Sequence, residues 1–351
     1  MQTTRRRVPT GAGAISLADV PQPLAALDRP ATPPPPEVVH ADSGADNAGM
    51  VFAFGWNGHG QLGTGDETER PAPRPLRMVG IRIALIAAGS SHSVAVDTEG
   101  TAWAWGANAH GQLGAGDFSD RCEPTRLDCE GQRISGIACG ARHTVLCTAR
   151  GRVIVCGSNA SGQLGLSRAG AEEVLMACPM TLSTLTSSRI TALAAGFSHS
   201  LFLTRPGLVL ACGADNCGQL GLGDRGGAGG GGDMHSPTVL GELSSVPCAA
   251  IGAGNYHSCA LARDDGGVYT WGEGRYGRLG HGTEGSEDVP RLVHGTTAVV
   301  KRTTSPDEPS MNSGAPSNGP MADRMLSLSC RPPHCQGPCY RVRWRVLSCY
   351  R

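Results

Sequence analysis

Four histidines recur at one position of a repeated motif, and their side chains could carry chemistry. They are His92, His143, His199 and His257, each preceded by Gly and two variable residues and followed by Ser or Thr. Histidine ligates metals and transfers protons near neutral pH. A metal gathers its ligands at one point, however, whereas equivalent residues of a repeat are spread around an axis. We therefore predict four structural histidines, each hydrogen-bonded to a neighbouring turn of its own unit, and no metal.

A second motif, Gly-Gln-Leu-Gly, occurs once per unit and predicts the elements that position these histidines. Its copies start 51, 51 and 56 residues apart, and a degenerate copy at 277–280 follows after 59 more. A period near 50 residues is typical of a four-stranded propeller blade. The glycines predict backbone conformations that other residues reach only with strain, with the leucine as a buried anchor and the glutamine amide as a cross-link. The four full copies are Gly60, Gln61, Leu62, Gly63, Gly111, Gln112, Leu113, Gly114, Gly162, Gln163, Leu164, Gly165, Gly218, Gln219, Leu220 and Gly221.

Short apolar segments alternate with turn residues around both motifs. Residues 83–87 and 92–96 are predicted to be strands joined by a tight turn, and 102–105 a third strand after Glu99-Gly100. The same order recurs along the chain. It predicts an all-β domain at 50–300, with complete units at about 71–116, 124–165, 179–221 and 237–280 and partial units at 50–65 and 289–300.

The two motifs resemble the repeat of the RCC1 (regulator of chromosome condensation) family over about residues 50–300. The resemblance rests on Trp105-Gly106-Ala107-Asn108 and the following Gly-Gln-Leu-Gly, with Ala88-Gly89 and His92-Ser93 before them. It implies an RCC1-like β-propeller whose units each supply one blade of four antiparallel strands, and family members usually close about seven blades. Because the repeat stops near residue 300, we expect an incomplete ring or a chain derived from a longer protein.

The ends of the chain differ from the repeats. Residues 1–49, with Arg5-Arg6-Arg7 and prolines at 33–36, are predicted to be a disordered leader. An organelle-targeting role for this leader stays open, and without a secretory signal we expect an intracellular protein, cytoplasmic or nuclear. Residues 301–351 are predicted to be an irregular tail. The spacing of its Cys330, Cys335, Cys339, Cys349 and His334 departs from paired zinc ligands, so we predict no zinc site there.

Cysteines within the repeats predict packing rather than redox chemistry. They occupy positions that are apolar in other units, where a thiol is a small core residue. These cysteines are Cys139, Cys147, Cys156, Cys212 and Cys259.

Motifs of catalysis are missing from the repeat region. We find no Ser/His/Asp arrangement and no paired carboxylates, and the glycine run at 226–232 lacks the lysine of a phosphate loop, which predicts a flexible insertion. Asp66, Asp117 and Asp224 follow the Gly-Gln-Leu-Gly loops and are predicted to stabilise turns. We therefore predict no catalytic, cofactor-binding or metal-binding residue.

The leading functional hypothesis is a non-enzymatic scaffold whose loops bind another protein, of open identity. The resemblance implies one alternative, guanine-nucleotide exchange on a Ras-like small GTPase, although the loops for that activity find no residue-by-residue match. A second alternative is a chromatin-associated protein or a fragment of a larger RCC1-repeat protein such as a ubiquitin ligase. Equal counts of 30 basic and 30 acidic residues disfavour nucleic acid, and no apolar run predicts a membrane span.

Overall fold

A computed structural model describes residues 51–76, 78–166, 172–180, 188–223 and 232–295. The leader, the tail with its cysteines, Asp224 and most of the glycine run therefore lie outside the described residues. Within the described ranges no helix is long and apolar enough to cross a membrane.

Four antiparallel sheets of four strands follow one another along the chain, each in simple sequence order. A two-stranded sheet, the N-terminal pair, precedes them. The N-terminal pair contains β1 (Phe52–Gly55) and β2 (Arg70–Pro75), and sheet 1 contains β3 (Ile83–Ala88), β4 (His92–Asp97), β5 (Ala102–Gly106) and β6 (Arg121–Arg126). Sheet 2 contains β7 (Ile134–Cys139), β8 (His143–Thr148), β9 (Val153–Ser158) and β10 (Glu173–Pro179). Sheet 3 contains β11 (Ile190–Ala195), β12 (His199–Thr204), β13 (Val209–Gly213) and β14 (Met234–Val239). Sheet 4 contains β15 (Cys248–Ala253), β16 (His257–Ala262), β17 (Val268–Gly272) and β18 (Glu287–Leu292). The predicted all-β fold, with four complete propeller-like units, is confirmed.

The strands around each histidine form where the apolar pattern predicts them. In sheet 1, His92 lies opposite Gly106 and Ser93 opposite Trp105. Strands β8, β9, β12 and β13 are buried along their whole length. Burial of both faces explains why these strands read as continuous apolar runs, since sheets 2 and 3 each lie between two neighbouring sheets.

Proline marks the fourth strand of the sheets. Pro124 lies in β6, Pro237 in β14 and Pro290 in β18. Proline has no N–H to donate, so it is tolerated in a strand with one unpaired edge. The sequence units that begin at these prolines are thus out of phase with the sheets, because each proline segment is the last strand of the preceding sheet.

The hydrophobic cores lie between sheets. One core joins Val94 and Leu113 of sheet 1 to Leu146 and Ile154 of sheet 2. Equivalent cores join sheet 2 to sheet 3 and sheet 3 to sheet 4. The first strands also lie side by side, β3 against β7, β7 against β11 and β11 against β15. Each sheet therefore depends on its neighbour for burial, as in other repeat folds.

The glycine three residues before each histidine is required by the close approach of neighbouring first strands. A Cβ atom on Gly140 would lie 2.7 Å from the carbonyl oxygen of Gly196 and 2.0 Å from Cε1 of His143. A Cβ atom on Gly196 would lie 2.4 Å from the carbonyl oxygen of Gly254. These glycines therefore let the turns of adjacent sheets touch along the line of first strands.

We expect Gly140→Ala to lower the free energy of unfolding by about 3 kcal/mol, because the new methyl group overlaps two rigid groups. Gly241→Ala is the control, since no atom lies within 4 Å of its Cβ position, and it should change stability by less than about 0.5 kcal/mol. Urea unfolding measures both. Equal stabilities of the two variants would contradict the close approach.

Candidate functional site: the seams between sheets and the loop face

Each Gly-Gln-Leu-Gly loop, between β1 and β2 or between the third and fourth strands of sheets 1, 2 and 3, docks on the next sheet, and we call this contact the seam. The main-chain carbonyl of its glutamine accepts two hydrogen bonds there. Gln61 O accepts from Ser93 Oγ at 2.9 Å and from Trp105 Nε1 at 2.9 Å. Gln219 O accepts from Ser258 Oγ at 2.8 Å and from Trp271 Nε1 at 2.9 Å. A single carbonyl thus satisfies two buried donors of the following sheet.

Cysteine replaces tryptophan in the two middle seams. Cys156 Sγ lies 3.5 Å from Gln112 O, and Cys212 Sγ lies 3.6 Å from Gln163 O. Both thiols are fully buried. Burial raises the pKa of each thiol, so both stay protonated as weak donors. The predicted packing role fits these two and Cys147, while Cys139 and Cys259 are only partly buried.

The glutamine side chain has a different role from the one predicted. Gln112 Oε1 accepts from His110 N at 2.9 Å, and Gln163 Oε1 accepts from Ser161 N at 2.9 Å. The amide oxygen therefore stabilises its own turn. The cross-link made by the glutamine amide is thus confined to its own loop, and the main-chain carbonyl is the group that faces the neighbour.

The flanking glycines and the leucine behave as predicted. Gly111 and Gly114 have φ angles of +75° and +65°, and the other Gly-Gln-Leu-Gly glycines are also in this left-handed region. Leu113 is 1% exposed, and Leu62, Leu164, Leu220 and Leu279 are buried as well.

Each of three histidines reaches across a seam. His143 Nε2 lies 3.0 Å from Ser200 Oγ of the next sheet, and His199 Nε2 lies 3.0 Å from Ser258 Oγ. His92 Nε2 lies 3.0 Å from Thr144 Oγ1. For these three histidines the prediction of a partner within the same unit was wrong, since the turn of the same unit contributes only the glycine that packs against the ring.

The hydrogen-bond network assigns the tautomer of these histidines. Ser200 Oγ donates its hydrogen to Gln163 O at 2.7 Å, so the Nε2 of His143 must donate to Ser200 Oγ. Nδ1 is then unprotonated, and it is buried without a hydrogen-bond partner. Burial lowers the pKa of His143 to about 3 and that of His92 to about 4. These imidazoles are neutral structural groups and have no free donor or acceptor facing solvent.

The sequence did not predict a side chain that joins two parts of each loop, which we call the loop hub. Asn108 Oδ1 accepts from Leu113 N at 2.9 Å, and its Nδ2 donates to Asp117 O at 2.8 Å. Asn57 and Asn159 have the same role in their loops. An Asn five residues before Leu62, Leu113 and Leu164 was visible in the sequence, but its meaning depends on the folded loop.

Sheet 3 has an aspartate at the hub position. Asp215 Oδ1 accepts from Leu220 N at 2.9 Å, and the residue is 3% exposed. A carboxylate cannot supply the second contact that the Asn amide donates. Burial, with smaller effects from Asp288 and Asp233, raises the pKa of Asp215 to about 6.

Asp66 and Asp117 stabilise turns as predicted. Asp117 Oδ1 accepts from Ser119 N at 2.9 Å, and Asp117 Oδ2 pairs with Arg121 at 2.6 Å. Asp66 makes the same contacts with Thr68 N and Arg70. These hydrogen bonds lower the pKa of both carboxyl groups.

The loops and turns define two ends of the sheets. Because the strands are antiparallel and in sequence order, the first-to-second turns and the third-to-fourth loops share one end, which we call the loop face. The second-to-third turns and the connections between sheets share the other end, which we call the turn face.

Neighbouring turns on the loop face bring together a surface that we call the turn cluster. It contains Arg142, Phe197, Asn255 and Tyr256. Ala141 N donates to Phe197 O at 3.2 Å and Phe197 N to Asn255 O at 3.1 Å, so the turns of sheets 2, 3 and 4 are joined. The rings of Phe197 and Tyr256 stack with centroids 5.7 Å apart. Arg142 is exposed beside them.

A second exposed aromatic lies in the degenerate loop of sheet 4. Tyr276 is 85% exposed and has a φ angle of +60°, where a residue with a Cβ is strained. Arg278 occupies the glutamine position, lies 5.8 Å from the Tyr276 ring centroid and pairs with Glu273 at 2.6 Å. Arg278 thus holds the loop through an ion pair in place of the glutamine amide.

The described residues contain no group of three His, Cys, Asp or Glu side chains placed to hold a metal. Tandem four-stranded antiparallel sheets with cores between them define a β-propeller.

The RCC1-like domain model matches residues 44–305, and the chain belongs to this family. UVR8, the ultraviolet-B receptor of Arabidopsis thaliana, is 33% identical over 247 residues, which cover 70% of this chain and 54% of UVR8. HERC6 of Homo sapiens, a probable E3 ubiquitin-protein ligase, is 30% identical over 283 residues, covering 78% of this chain and 27% of HERC6. The chain thus spans about half of UVR8 and about a quarter of HERC6.

Solved structures share the fold. Prp20p of Saccharomyces cerevisiae has a TM-score of 0.60 and 25% identity, with 71% of this chain and 60% of Prp20p covered. Human WBSCR16 has a TM-score of 0.62 and 22% identity, with 71% of this chain and 63% of WBSCR16 covered. The likeness to WBSCR16 shows the propeller fold alone.

We expect Asp215→Asn to raise the free energy of unfolding by roughly 1–2 kcal/mol at pH 7.5. Because the pKa of Asp215 is raised from 3.8 to about 6 on folding, its protonation stabilises the folded state. This contribution is fully present below pH 3.8 and is lost as the pH rises through about 6. The gain from asparagine should therefore shrink at pH 4.5. Asn159→Asp, the reverse change in sheet 2, should destabilise more at pH 7.5 than at pH 4.5. Urea unfolding of each variant at both pH values measures these shifts, and changes that do not depend on pH would contradict them.

The buried histidines predict acid lability. Their lowered pKa values mean that stability is fully present above pH 6.5 and is lost as pH falls towards about 4. Each should contribute about 2 kcal/mol of lost stability between pH 8 and pH 5. His143→Gln should be less stable at pH 8 yet lose less on acidification than the unmodified chain, as measured by urea unfolding across this range. A pH slope unchanged by the substitution would show that His143 does not titrate on unfolding.

Proposed function

We propose that this chain is a non-enzymatic scaffold that presents its loop face to a partner protein. The turn cluster is the observation that carries the proposal. Aromatic residues and arginine are enriched at the centres of protein interfaces, where they contribute most of the binding energy. Here Arg142 and the stacked Phe197 and Tyr256 lie on rigid turns joined by main-chain hydrogen bonds, so little ordering is needed on binding.

The distribution of phenylalanine supports the same proposal. Of the five phenylalanines in the chain, only Phe202 is buried. The core is instead built of Val, Leu, Ile, Ala and Cys, with Trp105 and Trp271 at seams. Exposed aromatic side chains therefore exceed what packing requires, which favours a role in contact with other molecules.

A related protein of known structure binds other proteins. Prp20 has been solved with Kap60 bound, and Prp20p has been described with its binding to Gsp1p and histones. Those contacts belong to Prp20, of which this chain covers 60% or less. They support a protein as the partner class.

Two alternatives follow from family membership. Guanine-nucleotide exchange on a Ras-like small GTPase would also use a protein contact. In the other alternative, the chain is the repeat domain of a larger ubiquitin ligase, since the matched part of HERC6 is about a quarter of its length. The buried neutral histidines support a non-enzymatic role for the repeats themselves.

The test compares proteins retained from cell extract by the immobilised full chain and by two variants. Arg142→Ala/Phe197→Ala/Tyr256→Ala removes the turn cluster, and Arg74→Ala/Met176→Ala removes exposed side chains of outer strands. A partner at the loop face should be retained by the chain and the control, and should bind the cluster variant at least about 30-fold more weakly in calorimetry with purified protein. Equal binding by all three forms would contradict the proposal.

Nucleotide release distinguishes the exchange alternative. Ras-like GTPases loaded with fluorescent GDP are mixed with micromolar chain. Faster release by the chain but not by the cluster variant would establish exchange, whereas unchanged release with intact partner binding would leave the scaffold role.

A further inference from the structure

The turn face, the end of the sheets opposite the turn cluster, has six exposed arginines in sheets 2, 3 and 4. They come from the residue before a first strand or from a second-to-third turn. We call them the arginine ladder. Its members are Arg133, Arg150, Arg152, Arg189, Arg205 and Arg263.

Main-chain contacts make the first half of the ladder continuous. Arg133 O accepts from Ala149 N at 2.8 Å, in the turn that also contains Arg150 and Arg152. Between these two arginines is Gly151, whose Cβ position lies 2.6 Å from Cβ of Arg189 in sheet 3. Sheet 2 therefore delivers three arginines directly beside the first arginine of sheet 3.

The second half continues in the same way. Arg205 N donates to Arg189 O at 2.9 Å, which places the two arginines of sheet 3 side by side. Arg263 Nη2 of sheet 4 donates to Arg205 O at 3.3 Å and to Cys248 O at 3.2 Å. The ladder thus crosses two seams without a break.

The guanidinium groups of the ladder are not neutralised by carboxylates. None of the six arginines forms an ion pair with any residue in the part of the chain that the structure describes. The acidic residues of this face are Asp97, Glu99, Asp128, Glu130, Glu242, Asp264 and Asp265. Asp128 and Asp265 instead accept turn amides at 2.9 Å, from Glu130 N and Gly267 N. Like charges brought this close without neutralisation favour an external anion.

We propose that the arginine ladder binds an acidic polypeptide segment, as a second interaction surface independent of the loop face. Guanidinium groups bind carboxylates through paired hydrogen bonds, and their repetition along three sheets fits an extended chain with several Asp or Glu side chains. Nucleic acid fits less well. Among the described residues no exposed aromatic ring accompanies the ladder to stack on bases, and the interspersed carboxylates oppose a continuous phosphate backbone.

The test uses the full chain with a fluorescent peptide of ten glutamates, a matched peptide of ten glutamines and a short DNA duplex. Arg189→Gln/Arg205→Gln removes two charges from the middle of the ladder. Arg74→Gln/Arg275→Gln removes two exposed charges outside the ladder and the turn cluster and is the control with the same net charge. Fluorescence anisotropy measures binding at two salt concentrations, and urea unfolding checks that both variants are folded.

We expect the glutamate peptide to bind the chain and the control equally, and the ladder variant at least tenfold more weakly. Binding should weaken between about 50 and about 200 mM salt, because these concentrations bracket about 0.1 M, at which the Debye length is about 10 Å. The glutamine peptide should not bind. Equal weakening in both double variants would show that net charge alone attracts the peptide and would overturn the proposal. Tighter binding of the duplex than of the glutamate peptide would assign the ladder to phosphate instead. Because the ladder variant keeps the turn cluster, neither result bears on the loop-face partner.

Discussion

The main-chain carbonyl of the glutamine in each Gly-Gln-Leu-Gly loop is the acceptor on which contact between sheets depends. It receives a hydroxyl and either an indole N–H or a thiol from the next sheet. Leaving such donors unsatisfied in a dry core would cost about 1–3 kcal/mol each. The loop must therefore hold one conformation before its neighbour can dock, and this requirement explains the glycines, the buried leucine and the Asn hub.

The histidines extend the same constraint. His92, His143 and His199 each donate to the hydroxyl that the glutamine carbonyl has already oriented, so glutamine, hydroxyl and imidazole form one chain across the seam. The ring also packs on the glycine of its own turn, which must lack a Cβ. Residue types that are common in catalysis are thus used for cohesion, and their burial removes them from any reaction with solute.

The two proposed interaction surfaces lie at the two ends of the sheets. The loop face joins stacked aromatic rings and an arginine on rigid turns, while the turn face carries a continuous row of unpaired arginines. Acidic side chains gather near the third-to-fourth loops, where burial together with Glu67 and Asp120 raises the pKa of the Cys122 thiol. The loop face and the turn face therefore differ in local charge, although the whole chain has 30 basic and 30 acidic residues and zero net charge.

The sequence by itself determined the repeat, the strands, the glycine turns and the leucine anchors, because these follow from periodicity and local conformation. It also identified Asp66 and Asp117 as turn residues, whose partners lie within four residues. Only the tertiary structure decided which atom of Gln112 crosses the seam and which sheet accepts the hydrogen of His143. Those contacts depend on the offset between sheets, which no single unit encodes. The turn cluster and the arginine ladder were invisible for the same reason, since their members come from separate units and become neighbours only when the sheets pack.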